Sequence, residues 1–160
     1  INNWNVVQYL SYGVPWPYPE GGALDYMRNV AMPALAADEI THWVITPKFG
    51  EEQGKAVGVI GYRGLKTDEV DRGFWLGELY HGKGLMTEAV IATQDYMFFE
   101  YGLERLVVRN AIINTASRRI KEKTGAKFLG TAPDDGQHHF KGDMEVWEVT
   151  KESWAVIRKR

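Results

Sequence analysis

Phe74-Trp75-Leu76-Gly77-Glu78-Leu79-Tyr80-His81-Gly82-Lys83-Gly84-Leu85-Met86-Thr87-Glu88-Ala89 is the stretch that decides how this chain folds. An apolar, strand-forming run feeds a tight turn with two glycines, and a helical pattern begins at once. The first turn of a helix has unpaired backbone N–H groups. Its dipole adds roughly half a positive charge there. Gly82 and Gly84 let the backbone approach an anion with no Cβ in the way. Lys83 and the Thr87 hydroxyl add to the site. Together they form a cradle for phosphate.

The glycines alone also suit a plain strand-to-helix connection, and two other phosphate sites compete. Gly77, Gly82 and Lys83 have P-loop spacing, but Gly84 stands where Ser or Thr would ligate magnesium. The dinucleotide fingerprint fails at Thr87, in the third glycine's place. A nucleotide phosphohydrolase therefore lacks a key ligand.

Outward from the turn, the pattern predicts a strand over Val70 to Gly77 and a long helix over Leu85 to Tyr101. A strand over Leu106 to Ala111 and a helix over Ala116 to Lys123 follow, with Gly125 as the C′ glycine. Lys127 to Leu129 and Glu145 to Val149 close as strands, and Thr150 caps a last helical turn through Trp154. Upstream lie strands at Thr41 to Thr46 and Ala56 to Tyr62. Before them come a helix over Trp4 to Leu10, a proline loop over Gly13 to Pro19, and a helix from Glu20 to about Ala37, imperfect at Gly21, Gly22 and Pro33. The expected fold is α+β in one domain spanning 1–160. It has a mixed, mostly antiparallel twisted sheet, helices on both faces, and a central β-α-β unit. Ligands bind at the carboxyl end of the strands in such units.

Bulk properties fit one domain. The chain has 160 residues, 44% hydrophobic, with a formal charge of −2, so no strong field points to nucleic acid or an anionic membrane. Cysteine is absent, which excludes a thiol nucleophile, disulfides and thiolate zinc sites, and suits a cytoplasmic setting. No apolar run reaches the ~20 residues of a membrane span.

These residues resemble the GNAT superfamily of N-acetyltransferases, particularly its Rim-type branch. Leu79-Tyr80-His81-Gly82-Lys83-Gly84 is similar to the family's Q/R-x-x-G-x-G/A, departing from it at Leu79. Leu85 to Ala89 continues it as the branch's G-x-G-x-x-T-E-A. Asn114-Thr115-Ala116-Ser117 through Glu122-Lys123-Thr124-Gly125 resembles N-x-x-S-x-x-x-x-E-K-x-G, and Gly73-Phe74-Trp75-Leu76 resembles G-Y-W-L. The resemblance runs from about Trp4 to Trp154, and the chain lacks an initiator Met and the family's first strand.

The resemblance implies acetyl-CoA as cosubstrate, with direct attack of an amine on the thioester. The acceptor is a peptide N-terminus or a small-molecule amine. His81, Gly82, Lys83, Gly84, Leu85, Met86 and Thr87 would hold the pyrophosphate, mainly through backbone N–H groups. Trp75 and Leu76 would pair through their backbone with the pantetheine arm, and Asn114 would hydrogen-bond it. Leu76 N–H is the expected oxyanion donor, and Ser117 the proton donor to the thiolate. A cap at the start of a helix is the plain reading of Ser117. Asp71, on the face of Gly73 and Trp75, is the candidate general base, although an exposed strand charge is the plainer reading of it.

Trp16 and Tyr18 are expected to wall the acceptor cleft, and Trp4 to pack. Asp134, Asp135 and His138 lie on a loop near where acceptors enter. His138 beside His139 is not read as a metal site, because no further ligands sit at zinc spacing. A non-catalytic acyl-CoA-binding module is the rival reading, and a homodimer is the default assembly for a small enzyme.

Overall fold

Short strands with turn residues between them make the first half of the core. In the computed structural model, which describes residues 1–159, β1 (Ile40–Ile45), β2 (Gly58–Arg63) and β3 (Asp71–Leu76) form an antiparallel meander. Its register sets Trp43 opposite Ile60 and Ile60 opposite Phe74. Two helical segments precede it beyond the short α1 (Trp4–Val7): α2 (Gly22–Tyr26) and α3 (Met32–Ala36), with a widened π turn at Met27–Ala31 between them. The single helix expected from Glu20 starts two residues late, because Gly21 takes φ 73° as its N-cap. It widens before Pro33, which has no N–H to continue the ladder.

The second half repeats the antiparallel plan. β4 (Arg105–Ala111), β5 (Lys127–Ala132) and β6 (Met144–Thr150) form a sheet with β6 in the middle. The chain between the sheets forms α4 (Leu85–Asp95), extended by a π turn at Tyr96–Tyr101, and α5 (Thr115–Lys123) connects β4 to β5. On α4 the buried positions Met86, Val90, Thr93, Gln94 and Met97 recur at helical spacing and face the sheet. The mixed sheet read from the sequence is resolved into two antiparallel halves lying side by side. They are linked at the seam by Val107 N–H donating to Val70 C=O at 3.0 Å, with no ladder between β3 and β4.

Helix α6 (Lys151–Arg158) closes the fold and runs further than the expected turn. Thr150 caps it in a reciprocal box with Ser153. Its Trp154 is buried among the apolar residues of both sheets and donates from Nε1 to Asp95 at 3.0 Å. Arg158 grips the same carboxylate at 3.0 and 2.9 Å. Gly125 adopts φ 77° after α5, the expected C′ conformation. No helix among the described residues is long and apolar enough to cross a membrane.

Trp154→Ala removes the largest side chain of this core and one of the bonds to Asp95. It should cost about 3–5 kcal/mol. The check is a urea unfolding series, in which the midpoint falls and the slope is retained.

Candidate active site

Strand geometry assigns the backbone groups at the seam. Gly77 N–H donates to Val57 C=O at 2.8 Å, so the odd-numbered residues of β3 point their peptide groups at β2. The even-numbered ones point the other way, toward β4, as Val70 C=O does. Leu76 and Phe74 therefore present their amides to the gap that opens beyond the Val70–Val107 bond. Trp75, expected to pair with a cofactor arm through its backbone, has its peptide groups committed to Val59 of β2. Strand alternation moves that role to Leu76 and Phe74.

The turn after β3 is clasped from inside. His81 Nε2–H donates to Leu76 C=O at 2.8 Å, and the His81 amide bonds Glu78 C=O at 3.0 Å. His81, expected among the pyrophosphate contacts, thus shapes the turn through both its ring and its amide. Gly82 (φ 74°) and Gly84 (φ 81°) are left-handed, and a Cβ on either would meet nothing within 4 Å. Gly84 is the N-cap of α4, so the amides of Leu85, Met86 and Thr87 open the helix. Lys83 is exposed, its Nζ 5.7 Å from the Tyr80 ring centroid. Leu79 is 83% exposed and gives the cradle no polar group. Glu78 is held by Asn3 and Asn5 at 2.7 and 2.9 Å, and both bonds keep its carboxyl below the usual range. They tie α1 to the turn.

Across the gap, Asn114 caps α5, its Oδ1 accepting from Ser117 N–H at 3.1 Å. The cap thus belongs to Asn114, and the Ser117 hydroxyl is free of that duty. It accepts instead from Lys121 Nζ at 2.8 Å, inside the protein. Around this pair lies a buried polar group that sequence reasoning missed. Arg72 of β3 bonds Gln94 of α4, and Gln94 Nε2 donates to Thr124 C=O at 3.3 Å. Arg72 Nε and Nη2 are buried with no partner among the described residues. Lys121 lies on the inner face of α5, where a lysine on an otherwise basic helix reads as solvated; the signal was its place in the stripe with Ser117 and Thr124.

The opposite face of β3 carries Asp71, Gly73 and Trp75. Asp71 is ion-paired with Arg63 at 2.5 Å, so its carboxylate is engaged across the strands. His42, directly across Gly61 from Gly73, shares this face. Its ring lies over Gly61, where a Cβ would come within 1.9 Å of Cδ2. Burial, then the nearby Arg63 charge, lowers the His42 pKa, so the imidazole is neutral at pH 7. Further along, the proline loop meets the 134–139 loop. Trp4 stacks at 5.4 Å from Trp16 and 5.9 Å from His139, and His139 bonds Val14 C=O at 2.7 Å. Trp4 and Trp16 therefore share one partly exposed aromatic wall. Tyr18, expected to share it, donates its amide to Asn2 Oδ1 at 3.1 Å and makes no ring contact with this pair. His138 Nδ1 is braced by Asp134 at 2.6 Å, and Asp134 and Asp135 also accept from the amides of Gly136 and Gln137.

A strand with an open edge, a left-handed glycine turn and a helix N-terminus beside it define a class of protein that holds an extended ligand ending in phosphate. The chain belongs to the acetyltransferase (GNAT) domain family, whose pattern it matches over residues 1–127. It is 31% identical over 109 residues to the Bacillus subtilis protein named "Putative ribosomal N-acetyltransferase YdaF". That match covers 63% of this chain but only 57% of the relative's length. The fold is similar to ribosomal-protein-S5-alanine acetyltransferase from Vibrio fischeri, with a TM-score of 0.71 and 21% identity over 86% of this chain and 75% of that one. It is also similar to Mycobacterium smegmatis RimJ in complex with CoA-disulfide, with a TM-score of 0.70 and 17% identity over 96% and 78%.

Gly82→Val puts a branched side chain into the empty space of the cradle and strains a left-handed residue by roughly 1–2 kcal/mol. CoA affinity should fall about a hundredfold, ~2.7 kcal/mol. Calorimetric titration with CoA, beside a circular dichroism spectrum unchanged from the parent, checks it.

Proposed function

We propose that this chain transfers an acetyl group from acetyl-CoA to a primary amine by direct attack in a ternary complex. The observation that carries the reading is the opening between β3 and β4, which the Leu76 amide faces, with the glycine cradle following β3 at the start of α4 and Ser117 in the first turn of α5 after β4. Family membership and the fold of its neighbours support it. The cradle amides of residues 82–87 would hold the pyrophosphate. Leu76 N–H would stabilise the tetrahedral oxyanion, and the Ser117 hydroxyl would protonate the departing thiolate. Bound acetyl-CoA supplies the activated acyl group; no metal enters this reading. Asn114 supports it by holding the start of α5 in place, with a cofactor-arm contact as the further proposal.

In this reading the acceptor approaches from the face of Gly61 and Gly73, where His42 lies. Asp71, the base proposed from sequence, is engaged by Arg63, and the neutral His42 is the better proton acceptor on that face. Asp71 then acts by fixing Arg63 beside His42. A protein N-terminal α-amine is the acceptor class favoured by the ribosomal acetyltransferase name of the relative, with a small amine as the alternative. A cytoplasmic setting and a homodimer belong to the same proposal.

Incubation with acetyl-CoA and a panel of peptides and small amines, reading free CoA, tests the function. CoA binding without turnover on any amine would support the rival, a non-catalytic acyl-CoA-binding module. Absence of CoA binding would sink both.

Ser117→Ala should lower kcat about a hundredfold while CoA affinity stays within about twofold. Loss of affinity alone would remove Ser117 from proton transfer. His42→Asn addresses the other proton. Because the folded pKa of His42 lies below its ordinary 6.5, wild-type kcat/KM should fall along an acid limb below that pH. A pH series on the variant should show a lower plateau with that acid limb gone.

A further inference from the structure

The proposed proton donor rests on a second, more deeply buried side chain. Lys121 lies one turn beyond Ser117 on α5 and is 1% exposed; Ser117 is 8% exposed. The bond from Lys121 Nζ to Ser117 Oγ has a fixed sense, because an ammonium has donors only. Oγ must accept it, and the single hydroxyl proton of Ser117 is left for another partner. In a family-type site that partner is the sulfur.

Charged groups surround Lys121 from three elements. On β3, Arg72 disfavours the ammonium and Asp71 favours it; on β6, Glu145 favours it while itself gripped by Arg118 of α5. From α4 comes only the neutral Gln94, bonded to Arg72. Burial is the largest influence, and with Arg72 it brings Lys121 down to about 7. A lysine in that condition exchanges its proton near neutral pH, unlike an exposed one.

We propose that Lys121 is the positioning and proton-supplying residue behind Ser117, aiming the hydroxyl at the departing sulfur and replacing the proton it gives up. This rests on the acetyl-transfer reading. As the tetrahedral intermediate collapses, the C–S bond breaks and its electron pair goes to sulfur. The Ser117 O–H proton moves to that thiolate, and an N–H proton of Lys121 moves to Oγ. Lys121 is left as a neutral amine and regains its proton from solvent before the next turnover. The proton lost by the attacking amine leaves on the His42 face.

Lys121→Met is the test. It fills the same space without charge, and replacing a buried unpaired cation by an apolar residue leaves the fold intact or steadier. The variant should lose kcat by about tenfold or more with the KM for acetyl-CoA within about twofold. In the wild type, kcat should decline as pH rises past about 7, where Lys121 loses its proton; in the variant that decline should vanish. The double variant with Ser117→Ala should be no slower than Ser117→Ala alone, since residues acting as a unit are not additive.

Unchanged kcat and pH profile in Lys121→Met would overturn the inference while leaving acetyl transfer standing. So would losses that multiply in the double variant. If Met is not accepted in the fold, Lys121→Gln carries the same readouts, and a wild-type kcat that does not decline past about pH 7 overturns the inference unaided. No turnover by the wild type on any amine would overturn the acetyl-transfer reading and this inference with it.

Discussion

Parting of β3 from β4 after a single backbone bond is the constraint on which the molecule's design depends. Val107 N–H reaches Val70 C=O, and beyond that point the two strands no longer pair. A buried strand edge carries orphan amides, each costly when left without a partner. The even-numbered peptide groups of β3 are in that position. Leu76 C=O is satisfied by His81, and its amide faces the gap. The same ring that satisfies the carbonyl pulls the turn back toward the strand and sets the cradle at the mouth of the gap. One parting of strands thus yields an unmet donor, a slot, and an anion site in line with it.

Polar groups inside the seam sharpen this picture. Arg72, Gln94, Ser117, Lys121 and Thr124 are buried where apolar side chains would make a more stable core. A buried ion costs several kcal/mol unless well paired. Arg72 has the neutral Gln94 and the Phe74 ring 6.0 Å away, and two of its nitrogens have no hydrogen-bond partner among the described residues. Local rules are broken in real proteins mainly at functional sites, with compensation elsewhere. Here the compensation is the apolar body around Trp154, Phe98 and Tyr62, which is large enough to tolerate a charged seam. The two cations also keep each other in check, since Arg72 lowers the affinity of Lys121 for its proton.

Much of the donor side was legible in the sequence because it is written in backbone requirements. Gly82 and Gly84 announce left-handed residues before a helix, Gly125 announces an end, and Thr150 a beginning. Such signals are local and survive whatever packs around them. What the sequence hid was decided by partners distant along the chain. Asp71 read as a free carboxylate until Arg63, opposite it on β2, took it up. His42 looked unremarkable until the register placed it over a glycine. The parity of peptide directions, which favours Leu76 over Trp75, also waits on the pairing of Gly77 with Val57. Lys121 was hidden for a different reason: in a helix bearing Arg118, Arg119 and Lys123, one more base reads as surface.

The two faces of the site are therefore specified by different means. On the proposed donor side the ligand would meet mostly backbone, so side chains there can vary: Leu79 stands exposed without disturbing any amide of the cradle. On the proposed acceptor side the walls are side chains. Trp4 of α1 meets Trp16 of the proline loop and His139, while His42 and the Arg63–Asp71 pair line the sheet. A backbone cradle recognises one cofactor whatever the acceptor, and loop-borne aromatics can change without unsettling it. In the proposed mechanism, proton traffic divides along the same line, with the seam lysine and serine serving the sulfur and the imidazole serving the amine. β3 separates the two routes, which lets each protonation state be set by its own neighbours.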